Sequence, residues 1–362
     1  MGLQWSAIYA LTTLLLLGCA PPEQLPAPSA RLDQTVHRWK LITTWPKNFP
    51  ALGTAPEHLA EMVDTMSRGR LQIKVYGAGE LVPAFEVFDA VASGSAEMGH
   101  GAAYYWRGKI PIAAIFSTVP FGLTAQEMNA WLHHGGGLEL WRELYEPFGL
   151  IPMASGNTGV QMAGWFNREI NSIEDIQGLK MRIPGLGGEV FQRAGGVAVA
   201  LPGGEIFTAL QTGTIDATEW VGPYNDRAFG LHTIAKYYYY PGWHEPGPTL
   251  EAIVNREALE ALPQDLRRIL EVASRAVNQD MLDEFTAKNN LALKDLVENH
   301  GVQVRRLPDD VLARFKEIAR EVVAEAADEN ELSRRIYRSF EDFRENVVSY
   351  HRISEQAYIN AR

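Results

Sequence analysis

The stretch Glu205–Asp216, EIFTALQTGTID, repeats a pattern that the chain has already used at Glu86–Glu97, EVFDAVASGSAE. Glu, Phe, Ala and Gly recur in register, and Val, Ser and Glu of the first copy take the places of Ile, Thr and Asp in the second. Each copy predicts a helix that stops at a glycine, Gly94 or Gly213, and then leads into a strand. Aromatic and polar residues follow both strands, which makes both places candidate sites.

The order of elements around the repeat is the same in both copies. Strand, helix, strand, helix and strand follow one another from HRWKLITTW to AEMGHGAAYY, and again from LKMRIPG to IDATEW. Such alternation predicts parallel strands whose faces are covered by helices. Helix–turn–strand units can look alike by chance, but the matching order of five elements favours a duplication. The predicted fold class is therefore α/β with two similar lobes, and ligands are expected in the cleft where the carboxyl ends of the strands meet.

The domain organisation follows from the two copies. Lobe I is expected to cover residues 36–156 with part of 245–300, and lobe II residues 157–244 with part of 301–330. The segment 331–362 reads as a long, projecting C-terminal helix, which makes it a candidate dimerisation element. Apolar residues at helical spacing before it, such as Leu312, Phe315 and Ile318, predict packing surface rather than chemistry.

Composition and charge narrow the class of protein. The 362 residues are 46% hydrophobic and 21% charged, with a formal net charge of -11, which is ordinary for a globular chain with two cores. A nucleic-acid binder usually shows a basic face, and this acidic sequence predicts none. The single cysteine, Cys19, rules out an intramolecular disulfide.

The first 35 residues differ from the rest of the chain. Residues 1–19 end in the apolar run ALTTLLLLGC, which is shorter than the ~20 residues that span a bilayer and fits a signal peptide. Residues 20–35 form a Pro-rich tether. Cys19 directly follows Gly18, as in a bacterial lipobox, and this predicts a lipid anchor; the alternative is a conventional signal peptide in which Cys19 has no role. Both predict an exported protein, in the periplasm or at the extracytoplasmic membrane surface.

Two charged residues stand at the ends of predicted strands. A guanidinium such as that of Arg182 is costly at the cleft end of a strand unless it is paired, and its planar fork matches a carboxylate. The alternative is an Arg182 that points away from the sheet into solvent. Glu219 is either the ion-pair partner of Arg182 or a ligand for a cation. Together with the amide oxygen of Gln161 it would suit Na+ or Ca2+ rather than zinc, although spacing alone favours the ion pair.

Aromatic residues crowd the same strand ends. Large aromatics dominate hydrophobic cores, so some of them are expected to pack inside the lobes. Others would suit a site for a small, partly apolar anion, because low polarity strengthens the contact with an arginine. The aromatic residues concerned are Trp45, Tyr104, Tyr105, Trp106, Trp220 and Trp243, with His100 beside them.

Catalytic motifs are incomplete in this sequence. HGGG, at 134–137, resembles an esterase oxyanion loop but has no G-x-S-x-G partner. GLGGEV ends in Val190, where a dinucleotide fingerprint needs Gly or Ala. We therefore expect a binding protein and no enzyme, and an exported two-lobed enzyme acting on a small carboxylate stands as the alternative.

Five segments together resemble a known family. TTWPKNFP, GNTGVQMAGWF, GLKMRIPGLGGEVFQRAG, DATEWVGPYND and KYYYYPGWHEPG are similar to the DctP-type solute-binding proteins of tripartite ATP-independent periplasmic (TRAP) transporters, and the similarity covers Val36 to Arg362. The phrases EWVGPYND and YYYYPGW resemble the branch that binds 2-oxo acids. The resemblance implies a two-lobed periplasmic-binding-protein fold of type II-like topology with long C-terminal helices, which closes on its ligand by a hinge motion.

The resemblance also implies a function and a site. The protein would capture a small monocarboxylate, such as pyruvate or lactate, and deliver it to a TRAP membrane permease. Arg182 would hold the carboxylate, while a cation, Na+ or Ca2+, would be bound by Gln161, Glu219 and the backbone of Trp220. Some members of the family dimerise through a long C-terminal helix, which 331–362 could supply. With the aromatic residues Trp45 and Trp243 added to those that the resemblance implies, the full set of predicted substrate contacts is Arg182, Gln161, Asn157, Trp220, Tyr104, Tyr105, Trp45 and Trp243.

Overall fold

The structure is a computed structural model that describes residues 35–362, and the predicted signal peptide and lipobox cysteine lie outside them. Within this range, strands and helices alternate along the first two thirds of the chain. The strands are β1 (His37–Thr43), β2 (Leu71–Tyr76), β3 (Met98–Gly101), β4 (Leu150–Asn157), β5 (Gly164–Phe166), β6 (Lys180–Arg182), β7 (Val197–Val199), β8 (Ala217–Thr218), β9 (Tyr237–Tyr240), β10 (Thr249–Asn255) and β11 (Gln303–Arg306).

The helices lie between and after these strands, and the last third of the chain is almost entirely helical. They are α1 (Ala55–Ser67), α2 (Val87–Ala92), α3 (Ala125–His134), α4 (Gly137–Tyr145), α5 (Gly185–Arg193), α6 (Gly203–Gln211), α7 (Pro223–Ala228), α8 (Arg256–Glu260), α9 (Gln264–His300), α10 (Asp309–Ala327), α11 (Glu331–Ile353) and α12 (Glu355–Ala361). Among the described residues, no helix combines the length and the apolar character that crossing a bilayer requires.

The strands form two sheets, and each contains one copy of the predicted repeat. The first sheet has the order β2-β1-β3-β10-β4 and the second has the order β11-β9-β5-β8-β6-β7. In the first copy β1 pairs in parallel with β2 and β3, and in the second β6 pairs in parallel with β7 and β8. An antiparallel strand then continues each sheet, β10 beside β3 and β5 beside β8. The predicted mixed α/β fold with parallel strands in each copy is confirmed.

The repeated residues have equivalent structural roles in the two copies. Gly94 and Gly213 both end their helices with left-handed backbone, at φ 75° and 73°, where a side chain would be strained. The acidic residue that closes each repeat accepts a hydrogen bond from the middle one of the three parallel strands of its copy, β1 or β6: Glu97 from the Lys40 N–H at 2.7 Å, and Asp216 from the Lys180 N–H at 3.0 Å. The repeat therefore fixes the position of each copy's last strand against the middle strand.

The chain crosses between the sheets more than once. After β9 in the second sheet it returns to the first as β10, and after the 37-residue helix α9 it joins the second sheet again as β11. Tyr224 of α7 binds α9 through two side chains, Glu284 and Asn289, at 2.9 Å and 3.0 Å. The structure shows which strands belong to each sheet, and the predicted lobe boundaries stay predictions.

The C-terminal segment differs from the expectation of one projecting helix. It is broken at Ser354 into α11 and α12, and the first half of α11 packs on α3, α4 and α10 of its own chain. Phe340 of α11 is fully buried with its ring edge-on to Trp131 at 5.2 Å, and Arg335 pairs with Glu143 at 2.7 Å. The apolar stripe of α10 that was predicted to be packing surface is buried, as at Phe315 and Ile318.

Phe340→Ala tests whether α11 is an integral part of the fold. Removal of a fully buried ring should lower the free energy of unfolding by about 3–5 kcal/mol, because the cavity beside Trp131 cannot collapse completely. The measurement is urea unfolding followed by circular dichroism. Tyr350→Ala, an aromatic deletion on the exposed part of the same helix, is the matched control and should change stability little. Equal stability of the two variants would contradict the docking of α11.

Candidate ligand-binding site

A small cavity lies where the strand ends of the two sheets face each other. Its volume is about 10 Å³, far below the ~300–1,000 Å³ of pockets for drug-sized molecules, so the lining side chains nearly fill it and it suits only a very small ligand. The cavity lies at the predicted place, the carboxyl ends of parallel strands, and its use as the ligand site stays a prediction. The lining residues are Trp45, Leu52, Tyr104, Tyr105, Thr158, Gln161, Arg182, Trp220, Val221 and Leu250.

Arg182 is the charged centre of this cavity and is only 1% exposed. Its Nη1 forms an ion pair with the carboxylate of Glu219 and also donates to the Glu219 backbone carbonyl at 3.3 Å. Nε donates to the carbonyl of Leu201 at 3.1 Å, and Nη2 donates to the hydroxyl of Tyr105 at 3.4 Å. The guanidinium also lies 5.2 Å from the ring centre of Trp220. The structure shows the ion pair between Glu219 and Arg182, and the role of Glu219 as a cation ligand stays a prediction.

The second carboxylate oxygen of Glu219 faces a cluster of buried polar groups. Ligand atoms of Glu219, His244 and Glu245 all lie within 4.8 Å of one another. His244 Nε2 is 3.5 Å from Glu219 Oε2, yet neither ring nitrogen makes a hydrogen bond within the described residues. Burial raises the pKa of Glu245 well above its usual range, and the neighbouring Glu219 carboxylate raises it further. Arg182 pairs with Glu219, whereas Glu245 has no ion pair within the described residues, so the cluster can accept additional positive charge.

Gln161 connects this cluster to the cavity. Its amide nitrogen donates to Glu245 Oε2 at 2.7 Å and to Thr158 Oγ1 at 3.1 Å. Its amide oxygen is buried and has no hydrogen-bond partner in the part of the chain that the structure describes. A buried oxygen without a donor costs free energy unless a ligand satisfies it. This orphaned oxygen, beside two carboxylates, is the donor set that a hard cation such as Na+ or Ca2+ prefers.

Two tryptophans form adjoining parts of the cavity wall. Trp45 follows β1 and Trp220 follows β8, and their rings meet edge to face at 6.1 Å. The indole N–H of Trp45 donates to His100 Nδ1 at 2.8 Å, and His100 Nε2 lies 3.0 Å from the carbonyl of Ser155. Burial lowers the pKa of His100 to about 4, so the ring is neutral and carries its proton on Nε2, toward Ser155. His100 therefore supports the wall from behind and does not line the cavity.

Six of the predicted substrate contacts line the cavity together: Trp45, Tyr104, Tyr105, Gln161, Arg182 and Trp220. Two others lie outside this lining. Asn157 donates to the Gly247 carbonyl at 3.1 Å and accepts from the Gly159 N–H at 2.9 Å, so it ties together the segments that cross between the sheets. Trp243 packs on Phe315 of α10 at 4.4 Å. Contact of these two residues with substrate stays a prediction.

The sequence interpretation missed Glu245 and did not assign His244 to the site. Both lie in the segment PGWHEPG, between a glycine and a proline, which are residues that interrupt helices and strands. An acidic residue within an aromatic segment that follows a strand was the available signal. Glu245 is connected to the cavity by its hydrogen bond with Gln161, which is 84 residues away in the sequence. Spacing alone does not reveal such a partner.

Comparisons with known proteins agree with this geometry. The family model described as "Bacterial extracellular solute-binding protein, family 7" (DctP) matches residues 41–330. A monocarboxylate 2-oxoacid-binding periplasmic protein of Nostoc sp. is 41% identical over 98% of this chain and 96% of its own length. This chain therefore belongs to the DctP family of solute-binding proteins.

Two solved structures share the fold closely. A TRAP periplasmic solute-binding protein from Pseudoalteromonas atlantica T6c, with bound sodium and pyruvate, is 43% identical with a TM-score of 0.88, over 91% of this chain and 100% of that one. One from Colwellia psychrerythraea, with bound calcium and pyruvate, is 42% identical with a TM-score of 0.88 over the same shares. The predicted family and two-lobed binding-protein fold are confirmed. The family is one of receptors, so the chain is a solute receptor and the enzyme alternative is set aside.

Glu219→Gln tests the buried ion pair. The substitution keeps the shape of the side chain but leaves the Arg182 charge without its partner, which should lower the free energy of unfolding by about 3–5 kcal/mol. Urea unfolding measures the change. Glu325→Gln, which breaks the exposed pair with Arg193, is the control and should have little effect. An unchanged unfolding midpoint for Glu219→Gln would mean that Arg182 does not depend on this carboxylate.

Proposed function

We propose that this receptor captures a small monocarboxylate, a 2-oxo or 2-hydroxy acid such as pyruvate or lactate, together with a cation. The observation that carries the proposal is the buried Arg182 beside the orphaned amide oxygen of Gln161 in one small cavity. A positive group and an unsatisfied oxygen call for opposite partners, an anion and a cation. The pyruvate and metal ions bound by the two similar structures support this pairing.

Arg182 keeps donor capacity for the substrate carboxylate. Its four hydrogen bonds to protein use four of the five N–H groups of a guanidinium, which leaves one on Nη2. The bond from Nη2 to Tyr105 is long, at 3.4 Å, and is the easiest to exchange for a charged acceptor. We infer that the carboxylate binds at Nη2, while the other bonds hold the guanidinium in place.

The cation balances charge that Arg182 cannot balance alone. Glu219, an ionised Glu245 and a substrate carboxylate would place three negative charges around one guanidinium. The residues that would hold the ion are Gln161, Glu219 and the backbone carbonyl of Trp220, as the family resemblance implies, and Glu245 joins them by its position. The bound ion would supply positive charge next to the substrate oxygens. Both Na+ and Ca2+ fit an oxygen-rich set of this kind.

The finer aspects of location and assembly are also proposals. The receptor would work in the periplasm and deliver its ligand to a TRAP membrane permease, held near the membrane by a lipid on Cys19. A homodimer would form through the end of the C-terminal segment, where apolar side chains are exposed: Tyr350, Ile353, Tyr358 and Ile359. Mass spectrometry of the mature N-terminus and sedimentation of chains with and without 345–362 would test the anchor and the dimer.

Isothermal titration with pyruvate tests the proposed function. The wild type should bind, and Arg182→Lys should bind at least about 10-fold more weakly, because a lysine keeps the charge but not the bonds to Leu201 and Glu219. Arg314→Lys, on the exposed face of α10, is the matched control. Circular dichroism of each variant separates loss of binding from loss of fold. Wild-type affinity in Arg182→Lys would refute the role of Arg182, and no binding of small monocarboxylates by the wild type would refute the function.

Removal of cations tests the second half of the proposal. After dialysis against a chelator into a buffer with an organic cation, pyruvate affinity should fall, because the substrate charge is then poorly compensated. Addition of NaCl or CaCl2 should restore it, and the ion that restores it at lower concentration is the preferred one. Titrations that agree in all three buffers would remove the cation from the site.

A further inference from the structure

A second cavity lies between the helices α4 and α9, beside the edge strand β4 of the first sheet. Its volume of about 510 Å³ is within the ~300–1,000 Å³ of pockets that hold small molecules. It shares no lining residue with the ligand cavity, so it is a separate place on the molecule. Its charged lining is Arg142, Arg268, Glu271 and Arg275, and we call it the basic pocket.

Positive charge is in excess in the basic pocket. Glu271 forms ion pairs with two arginines, Arg268 at 2.9 Å and Arg142 at 3.8 Å. The third arginine, Arg275, makes no ion pair and no hydrogen bond within the described residues. Three guanidinium groups thus share a single carboxylate, on a chain whose formal net charge is -11. The lining therefore leaves about two positive charges without a counter-charge.

The polar groups around these charges also lack partners. Burial lowers the pKa of His133 to about 4, and the neighbouring charges of Arg275, His134 and Arg142 lower it further, so the ring is neutral. The Nε of Arg142 is buried and has no hydrogen-bond partner in the part of the chain that the structure describes. A buried donor of this kind costs free energy unless an acceptor satisfies it. The basic pocket therefore suits a ligand that brings acceptor oxygens.

The remaining lining of the basic pocket is largely apolar. Leu138 comes from α4, Met153 and Ala154 come from β4, and Val272 comes from α9. Val272 leaves 44% of its surface exposed although it stands next to three charged side chains. Covering such a surface is favourable, at roughly 25 cal/mol per Å² of apolar area. A charged head group with an apolar chain would use both parts of the lining.

We propose that the basic pocket is a second ligand site, which binds an alkyl phosphate, a phosphate monoester on an apolar chain. A phosphate monoester carries a charge of about −1.5 to −2 at pH 7, which matches the charge that the arginines leave unbalanced. Guanidinium groups donate pairs of hydrogen bonds to phosphate oxygens, and the chain covers Leu138, Met153 and Val272. The site does not involve Arg182 and is independent of the proposed function.

Isothermal titration with three probes tests the site. Octyl phosphate has head and chain, inorganic phosphate has the head alone, and octanol has the chain alone. The full-length receptor is titrated with pyruvate and NaCl present throughout, so that the cleft is occupied. Octyl phosphate should bind at least about 10-fold more tightly than either other probe, because only it pairs with the arginines and also covers the apolar lining.

Three variants of exposed residues on α9 assign the binding to this pocket. Arg275→Gln should weaken octyl phosphate about 10-fold, because a charge-assisted contact is lost. Val272→Ser should weaken octyl phosphate but leave the affinity for inorganic phosphate unchanged. Lys288→Gln removes the same charge from the same helix outside the pocket and is the matched control. Circular dichroism confirms that each variant is folded.

Several results would refute the second site. They are a wild type that does not bind octyl phosphate, one that binds octanol equally well, and equal affinity in wild type and Arg275→Gln. Inorganic phosphate that binds as tightly as octyl phosphate would refute the role of the apolar chain. A titration without pyruvate should give the same affinity, and much tighter binding there would place octyl phosphate in the cleft at Arg182. None of these results bears on pyruvate binding, which its own titration tests.

Discussion

The ion pair between Arg182 and Glu219 is the interaction on which the site depends. Both groups are buried at the ends of adjacent parallel strands, β6 and β8, and neither charge would be tolerated there alone. The pair is not self-contained, because the guanidinium keeps a donor and the second oxygen of Glu219 faces His244 and Glu245. An ion pair that keeps one free N–H on the arginine and one free oxygen on the glutamate is suited to bind an anion and a cation together.

The duplicated architecture explains why these charges meet in a closed space. Each copy of the repeat positions its last strand against the middle one of its three parallel strands, through the equivalent bonds of Glu97 and Asp216. The residues that follow β3 and β8 then project toward each other from the two sheets. One copy supplies the aromatic wall with Tyr104 and Tyr105, and the other supplies Glu219 and Trp220. Both halves of the duplication thus contribute to the same cavity.

The binding cavity is small because large aromatic side chains from both sheets nearly fill it. Trp45 is fixed by the neutral His100, whose own proton is directed to the backbone of Ser155. Tyr104 is held by the close backbone of Gly185 and packs edge to face on Tyr105. Tyr105 packs on Trp45 and Phe85 as well, and its hydroxyl accepts from Arg182 Nη2 at 3.4 Å. The aromatic wall is therefore continuous with the charged centre of the site.

The sequence by itself determined the order of elements and the duplication, because both follow from local periodicity. It also placed Arg182 and Glu219 at strand ends, and ligands of parallel sheets bind at the carboxyl ends of strands. It also gave the helical C-terminus, but not the docking of α11 through Phe340. Only the tertiary structure decided that Glu245 joins Gln161 across 84 residues, that His100 stands behind Trp45, and that Asn157 ties the crossing segments together. These contacts join segments distant in sequence, and their partners depend on strand register and on where the chain crosses between sheets, which no local pattern records.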